Sequence, residues 1–386
     1  MRRLLFILLF PLMLNGQQVP DNTTFTLDTV VKVVNPSSND LNEAFNDAIK
    51  SYFNPLYDSI GYAPVRSLLR FRDYGAHNGY ELLAEFQTNS PNTTTFDPAI
   101  SATSGTYMWV IDGVEYEGTS ASVTLDGTTN TVQLWGEGTC NITSFDVNSD
   151  NIVDTLNLSN DAFKPIASIS IHTNSALKKV IFPDISTGTI GLINARSTGL
   201  IDTLDLSMFT NYSSSAGLYL FLNTSLKYIK FPSAISSGTI WLMHIYNTGI
   251  TGTLDLSMFT NYRSDAYVYL HNNSSMDGVT MPVSTTGSFV NYYGYGNKNT
   301  FYISPSIHPS MTNINNGIIN FTTNGWSATQ VNQFLVEIDN ISSSGYTGRN
   351  IQVGGSNAAP DSSSGGYNGT AAKASLQSKG FTVLTN

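Results

Sequence analysis

The sequence predicts a mainly β protein: a β-solenoid of about seven rungs of 24–25 residues, preceded by a small β-sandwich and closed by an α/β end module. A block of about 50 residues recurs along the middle of the 386-residue chain and divides into two halves. Apolar residues alternate with polar ones in short runs, as in half-buried strands. Only 12% of residues are charged while 11% are aromatic, a balance typical of β-rich proteins.

The N-terminus has the pattern of a secretory signal peptide. Two arginines follow Met1, an apolar run extends from Leu4 to Leu14, and the small residue Gly16 marks the cleavage point. A helix over this run would rise only about 16 Å, roughly half a bilayer core, which argues against a membrane anchor. We therefore expect residues 1–16 to be removed and the protein to be secreted or held at the cell surface without a transmembrane segment.

Charge and cysteine content narrow the possible partners. The whole chain has a formal charge of −10, and loss of the two N-terminal arginines would make it −12. An acidic chain without basic clusters argues against nucleic-acid binding, which depends on neutralising phosphates. Cys140 is the single cysteine, so an intramolecular disulfide is impossible.

Residues 17–75 are predicted to be an N-terminal segment with one helix. A strand-like run extends from Thr24 to Val34. A helical pattern extends from Ser38 to about Tyr52 and begins beside residues that favour helix N-termini.

Residues 76–137 are predicted to form a small β-sandwich. The segment contains three strand-like runs separated by glycine-containing turns, at residues 107–113, 120–127 and 131–135. Trp109 is expected to pack centrally, and Asp112-Gly113 to turn a hairpin. The segment resembles PKD-type immunoglobulin-like modules, and this resemblance implies a spacer or adhesion element.

Near-identical blocks define the repeat within residues 138–310. Thr203–Tyr212 returns unchanged at Thr253–Tyr262, and ten identical residues at a fixed spacing are far beyond chance. Each period divides in two, because alternating strands recur half a period apart. Their predicted starting points are residues 144, 168, 192, 217, 242, 267 and 291.

The apolar parity of these strands is predicted to face a shared core. Pairs such as Ile193 with Ala195 and Leu218 with Leu220 recur in each rung, and each rung covers its neighbour's apolar face. Shorter apolar blocks are expected to close the opposite wall; they contain Leu204, Leu206, Ile229 and Phe231.

Two turns that follow the strands carry a family resemblance. Asn223-Thr-Ser-Leu226 and Asn247-Thr-Gly-Ile250 resemble the asparagine-containing turns of leucine-rich repeats, and the chain is similar over residues 140–300 to irregular leucine-rich-repeat surface proteins of the Bacteroidota. The resemblance implies a leucine-rich-repeat-like solenoid. Several consensus leucines are replaced by Ile, Val, Tyr or His, so a flatter β-solenoid is the alternative to a curved one.

Residues 311–386 are predicted to form an α/β capping module. Ser327 is placed to cap a helix whose apolar residues are Val331, Phe334, Leu335 and Ile338. A second helix, from about Thr370 to Ser378, leads into a strand from Phe381 to Leu384. Such a module would seal the solenoid, whose open end exposes core and unpaired strand edges. It resembles the C-terminal modules of similar surface proteins.

One segment matches the ligand spacing of a calcium loop. The candidate ligands, at the first, third, fifth and ninth positions of such a loop, are Asp146, Asn148, Asp150 and Asp154. The sixth position holds Asn151 instead of glycine, and the twelfth holds Asn157 instead of glutamate. Asp154 also aligns with Asp202 of the next period, so the repeat itself accounts for these residues. A solvated strand and turn is therefore favoured over a calcium site.

No other pattern indicates a metal site or catalysis. His172 and His271 share a column but stand four rungs apart, about 19 Å at ~4.8 Å per rung, which is too far for one zinc ion. His244 lies on the rung next to His271, but no cysteine or acid joins them. Nucleophile and phosphate-loop motifs are absent. We expect a non-catalytic protein without a cofactor; a glycoside hydrolase stays a third hypothesis, because its paired carboxylates meet only in space.

The outward strand positions become aromatic in the last four predicted rungs. Eight rings fall in two adjacent columns: Tyr219, His244, Tyr269 and Tyr293 in one, and Phe221, Tyr246, His271 and Tyr295 in the other. Tyr267 and Trp241 lie nearby, with Trp241 at the inward parity. The rings could stabilise the sheet by stacking between rungs, or form a platform that binds a sugar or a protein.

Together these features predict an exported, non-catalytic binding protein, either an adhesin or a module that recognises a glycan or a surface protein. A structural component of an extracellular fibre or phage tail is the alternative from a different class. The signal peptide argues against a virion part, because virions assemble inside the cell.

Overall fold

β-Strands dominate the part of the chain that the computed structural model describes: residues 79–89, 95–148, 152–184, 188–286, 289–303, 314–342 and 349–386. The signal peptide and the strand and helix expected in residues 17–75 lie outside the described residues.

The N-terminal strands of the described region pair antiparallel. They are β1 (Tyr80–Thr88), β3 (Ala99–Ile111), β4 (Val114–Glu117) and β6 (Asn130–Asp146), while β2 (Thr95–Phe96) pairs separately with β5 (Val123–Thr124). The expected hairpin is present: Asp112 and Gly113 join β3 to β4 with φ values of 49° and 83°, as a two-residue type I′ turn requires. Trp109 is fully buried, with its ring 6.3 Å from that of Phe145.

β6 joins this antiparallel region to the solenoid. Along one edge it pairs with β3, and along the other it pairs first with β1 and then, in parallel, with β8 (Ser168–Ser170). One buried core continues from Trp109 through Phe145 to Ile169. The domain boundary expected at residue 137 therefore falls inside a continuous strand that both regions share.

The front wall of the solenoid is a stack of ten parallel strands. After β6 and β8 these are β10 (Ile190–Asn194), β12 (Tyr212–Tyr219), β14 (Ile240–His244), β16 (Tyr262–Tyr269), β18 (Phe289–Tyr293), β19 (Ile314–Asn320), β20 (Arg349–Gln352) and β21 (Phe381–Leu384). The seven predicted rung starts fall one each in the front-wall strands β6, β8, β10, β12, β14, β16 and β18. Six turns of the solenoid join these seven strands. The mainly β solenoid is thus confirmed.

Strand register confirms the predicted inward parity. Ile193, Leu218, Met243 and Val268 lie opposite one another on successive strands, and all four are fully buried. The back wall is built from three parallel pairs: β7 (Ile152–Asn157) with β9 (Leu177–Ile181), β11 (Asp202–Asp205) with β13 (Leu226–Lys230), and β15 (Gly252–Asp255) with β17 (Met276–Thr280). Apolar side chains from both walls meet in one core, which no single rung could bury alone.

A buried ladder of asparagine and threonine side chains joins successive rungs just after the front strands. Its members are Asn174, Thr198, Asn223, Thr248, Asn273, Asn297, Asn324 and Asn357. The sequence prediction for Asn223 is correct, but in the next rung Thr248 takes the place expected for Asn247: the Thr248 N–H and hydroxyl both donate to Asn273 Oδ1, at 2.8 and 2.7 Å. Asn247 instead adopts a left-handed φ of 52°, which asparagine tolerates better than most residues.

Two helices carry the chain back to the last strands of the front wall. α1 (Ala328–Ile341) lies between β19 and β20, and α2 (Gly369–Ser378) lies between β20 and β21. Ser327 and Gln330 form a capping box at the start of α1, and the predicted apolar residues of this helix are buried. Because β19–β21 extend the parallel stack, the C-terminal module continues the solenoid. Short 3-10 helices span Asp161–Phe163 and Ser364–Gly366. No helix in the described ranges is long and apolar enough to cross a membrane.

Candidate binding face

Strands β12, β14, β16 and β18 bring the eight predicted rings together on the outer surface of the front wall. Their register sets Tyr219, His244, Tyr269 and Tyr293 opposite one another. The other column consists of Phe221, Tyr246, His271 and Tyr295 and lies two residues further along each chain segment. We call these eight residues the ring strip.

Rings within the second column stack face to face. The centroids are 4.6 Å apart for Phe221 and Tyr246, 4.3 Å for Tyr246 and His271, and 4.5 Å for His271 and Tyr295. The ring planes deviate from parallel by 8–13°. Such close stacking follows from the spacing of neighbouring strands, which is about 4.8 Å.

The first column stacks in the same way over three of its four rings. His244 and Tyr269 lie 4.5 Å apart, and Tyr269 and Tyr293 lie 4.8 Å apart. Tyr219 differs, since it meets His244 edge-on at 5.2 Å and 79°. A Cβ atom at Gly217 would lie 3.0 Å from Cε2 of Tyr219, so this glycine makes room for the tilted ring.

The stacking determines what the strip presents to solvent. A ring between two stacked neighbours has both faces covered, so only its edge, with the hydroxyl in the case of tyrosine, can be presented to solvent. Seven of the eight rings are half-buried, and His271 is only 8% exposed. The flat platform expected from the sequence is therefore a double row of ring edges.

The ring strip is uncharged at neutral pH. Burial lowers the pKa of His244 to about 4, and burial together with the nearby His244 lowers the pKa of His271 to about 4. Burial raises the pKa of Tyr246 and Tyr269 above the usual value. Among the described residues, the charged group in ring contact with the strip is Arg196, whose guanidinium lies 5.9 Å from the Phe221 centroid.

The position of Trp241 in its strand predicts an inward-facing side chain, but the ring does not point into the core. Its half-exposed ring lies under the guanidinium of Arg263, at 4.4 Å. The parity argument assumed an uninterrupted register, but Ile240 pairs with Tyr262 whereas Leu242 pairs with Tyr267, so β16 carries extra residues at this point. Tyr267 does lie beside the strip, 6.0 Å from Tyr269.

The calcium-loop candidates have other partners. Asn148 donates to Asp146, and its Oδ1 accepts from the Ser170 hydroxyl at 2.7 Å. Asp154 pairs with Lys178 at 3.1 Å. Asp150 lies outside the described residues. In the described part of the chain, no group of three or more His, Cys, Asp or Glu side chains is close enough to hold a metal ion.

Comparison with known proteins adds no family to this architecture. No protein-family model, curated protein or solved structure matches the chain. The ring strip is therefore interpreted from its own geometry and chemistry.

Proposed function

We propose that this chain is an exported, non-catalytic binding protein that recognises a glycan through the ring strip. The observation that supports this proposal most strongly is that eight rings from four successive rungs form one continuous, partly exposed and uncharged surface. Contiguous exposed aromatic patches are typical of binding sites, and tyrosine edges offer hydrogen bonds to a hydroxyl-rich ligand. Export is supported by the N-terminal sequence pattern.

The histidines of the strip support a role beyond stability. His244 Nε2 and His271 Nδ1 are buried and have no hydrogen-bond partner in the described residues. An unpartnered buried nitrogen costs free energy, whereas a phenyl ring could stack equally well without this cost. A strip that served only to hold rungs together would favour phenylalanine at both positions.

A double variant tests the strip. Tyr246→Ala/Tyr269→Ala removes the middle of both columns, and we expect at least about ten-fold weaker glycan binding, because two central rings are lost. The measurement is a glycan array followed by titration of the glycans that bind the unaltered protein. The matched control is Tyr228→Ala on the back wall, whose side chain is 56% exposed. Equal binding by the double variant, with its circular dichroism retained, would contradict the proposal.

A fibre or tail component is the second candidate function, and the edge of β21 favours it. β21 pairs with β20 on one side and with no described strand on the other, and Leu384 is 51% exposed. A strand edge that no described strand covers can accept a strand from another chain. Size-exclusion chromatography with light scattering separates the candidates: we expect a monomer for the binding protein, whereas trimers or polymers would support assembly.

A further inference from the structure

The two ends of the ring strip differ. At the N-terminal end, Arg196 lies over the outer side of Phe221, and Tyr219 is tilted across Gly217. At the C-terminal end, the next rung continues the two columns without rings, because Asn320 lies opposite Tyr293 and Thr322 follows in the column of Tyr295. Among the described residues, the stacked rings therefore lose their ring neighbour only at the C-terminal end.

The contacts of the last two rings confirm this asymmetry. Tyr293 stacks on Tyr269 at 4.8 Å, and Tyr295 stacks on His271 at 4.5 Å. Both partners lie on the N-terminal side, and no ring among the described residues stacks on the other side of either tyrosine. The change from tyrosines to shorter side chains forms a step in the surface.

Polar, uncharged groups border this step. Oδ1 of Asn320 accepts hydrogen bonds from the backbone N–H and the hydroxyl of Thr322, at 3.0 and 2.8 Å, which fixes the orientation of the amide. Nδ2 of Asn320 has no partner within the described residues, so its two N–H groups are available as donors. In the next strand Gln352 lies opposite Asn320. No charged side chain occupies these column positions.

We propose that Tyr293, Tyr295, Asn320, Thr322 and Gln352 form a subsite for one uncharged pyranose ring of a linear neutral glycan. The weakly positive C–H groups of a sugar face fit the negative face of a tyrosine ring, while Asn320 Nδ2 donates to a sugar hydroxyl. The rest of the glycan runs along the hydroxyl-bearing ring edges. This inference rests on the proposed glycan recognition and names its subsite and ligand class.

The test uses the full chain with neutral hexasaccharides (cellohexaose, xylohexaose and mannohexaose) and with hexagalacturonate as an acidic comparison. We expect at least one neutral probe to bind. Tyr295→Ala should then weaken its binding about ten-fold and abolish saturation transfer to one sugar ring in NMR. Tyr295→Phe keeps the ring face and should stay within about three-fold of the unaltered protein.

A second variant avoids the removal of a stacked ring. Asn320→Asp is isosteric, removes both amide donors and introduces a negative charge, so we expect about ten-fold weaker binding with an unchanged circular dichroism spectrum. Tyr246→Ala/Tyr269→Ala could abolish binding of a neutral hexasaccharide while Tyr295→Ala and Asn320→Asp leave it unchanged. That result would contradict the subsite but still support glycan binding by the ring strip. Binding of the acidic probe alone would overturn the ligand class. Binding of no probe here and of no glycan on the array would overturn both proposals.

Discussion

Replacement of Asn223 by alanine is expected to lower the free energy of unfolding by about 3–5 kcal/mol, one of the two largest effects that the fold predicts. Asn223 is fully buried, and its Nδ2 donates to the carbonyl groups of Ala195 and Leu220 at 2.8 and 2.9 Å. Its Oδ1 accepts from the N–H and hydroxyl of Thr198, at 2.9 and 2.7 Å. Alanine would remove all four hydrogen bonds. The buried Thr198 N–H and Leu220 carbonyl would lose the side-chain partner that they have here, while the Ala195 carbonyl would keep the Thr198 hydroxyl, at 3.2 Å.

Two further variants isolate the ladder contribution. Asn223→Thr mimics the residue found at Thr198 and Thr248, so its loss should be smaller than that of alanine. Asn157→Ala removes an exposed asparagine with one local hydrogen bond, to the Ser159 N–H at 3.0 Å, and should cost less than about 1 kcal/mol. Urea unfolding followed by circular dichroism measures all three. A loss for Asn223→Ala no larger than that for Asn157→Ala would show that the ladder does not stabilise the rungs.

The rung architecture could be predicted because repetition shows it many times over. The segment Gly217–Leu222 has an ambiguous pattern by itself, but the same alternation at half-period spacing fixes which side chains face the core. The ladder was only partly predictable. Asn223 follows its strand as expected, whereas the equivalent position in the next rung holds Thr248, since a hydroxyl and a backbone N–H can both donate to the asparagine of the following rung.

The ring strip was predictable as a set of residues but not as a geometry. Parity places Tyr246 and His271 on one surface, yet only the 4.3 Å stacking shows that their faces cover each other. Parity failed at Trp241, because the extra residues in β16 shift the register beside it. The Tyr295 face next to Thr322, on which no described ring stacks, was missed as well. The signal available in the sequence was the end of the aromatic columns after Tyr295.

Acidification from pH 7 to pH 4 is expected to destabilise the protein by about 3–5 kcal/mol through His244 and His271. Burial lowers the pKa of each imidazole to about 4, whereas an unfolded histidine titrates near 6.5. Between these values the unfolded state binds protons that the folded state does not, so stability is complete above about pH 6.5 and falls as the pH approaches 4. The full shifts correspond to about 3.4 kcal/mol each, and partial exposure of His244 reduces its share.

Other titrating groups affect stability outside the range from pH 6.5 to 4, or affect it more weakly within that range. Hydrogen bonds and nearby cations lower the pKa of Asp205 and Asp265, so their stabilising contribution is lost only below their ordinary range, near pH 4. Burial and the nearby Arg196 lower the pKa of His172, which adds a loss of the same sign. Burial raises the pKa of Asp146, which acts in the opposite direction. The main slope between pH 6.5 and 4 is therefore assigned to the two stacked histidines.

His244→Phe/His271→Phe tests this assignment, since phenyl rings fit a stack that already contains Phe221. Melting temperatures of the double variant should stay nearly constant between pH 7 and 4.5, and at pH 7 the variant should be at least as stable as the unaltered protein, because two unpartnered nitrogens are removed. His172→Asn is the control and should retain most of the pH dependence. An unchanged slope in the double variant would mean that acid destabilisation arises elsewhere. Loss of glycan binding by a variant of higher stability would show that the histidines are kept for the ligand and not for the fold.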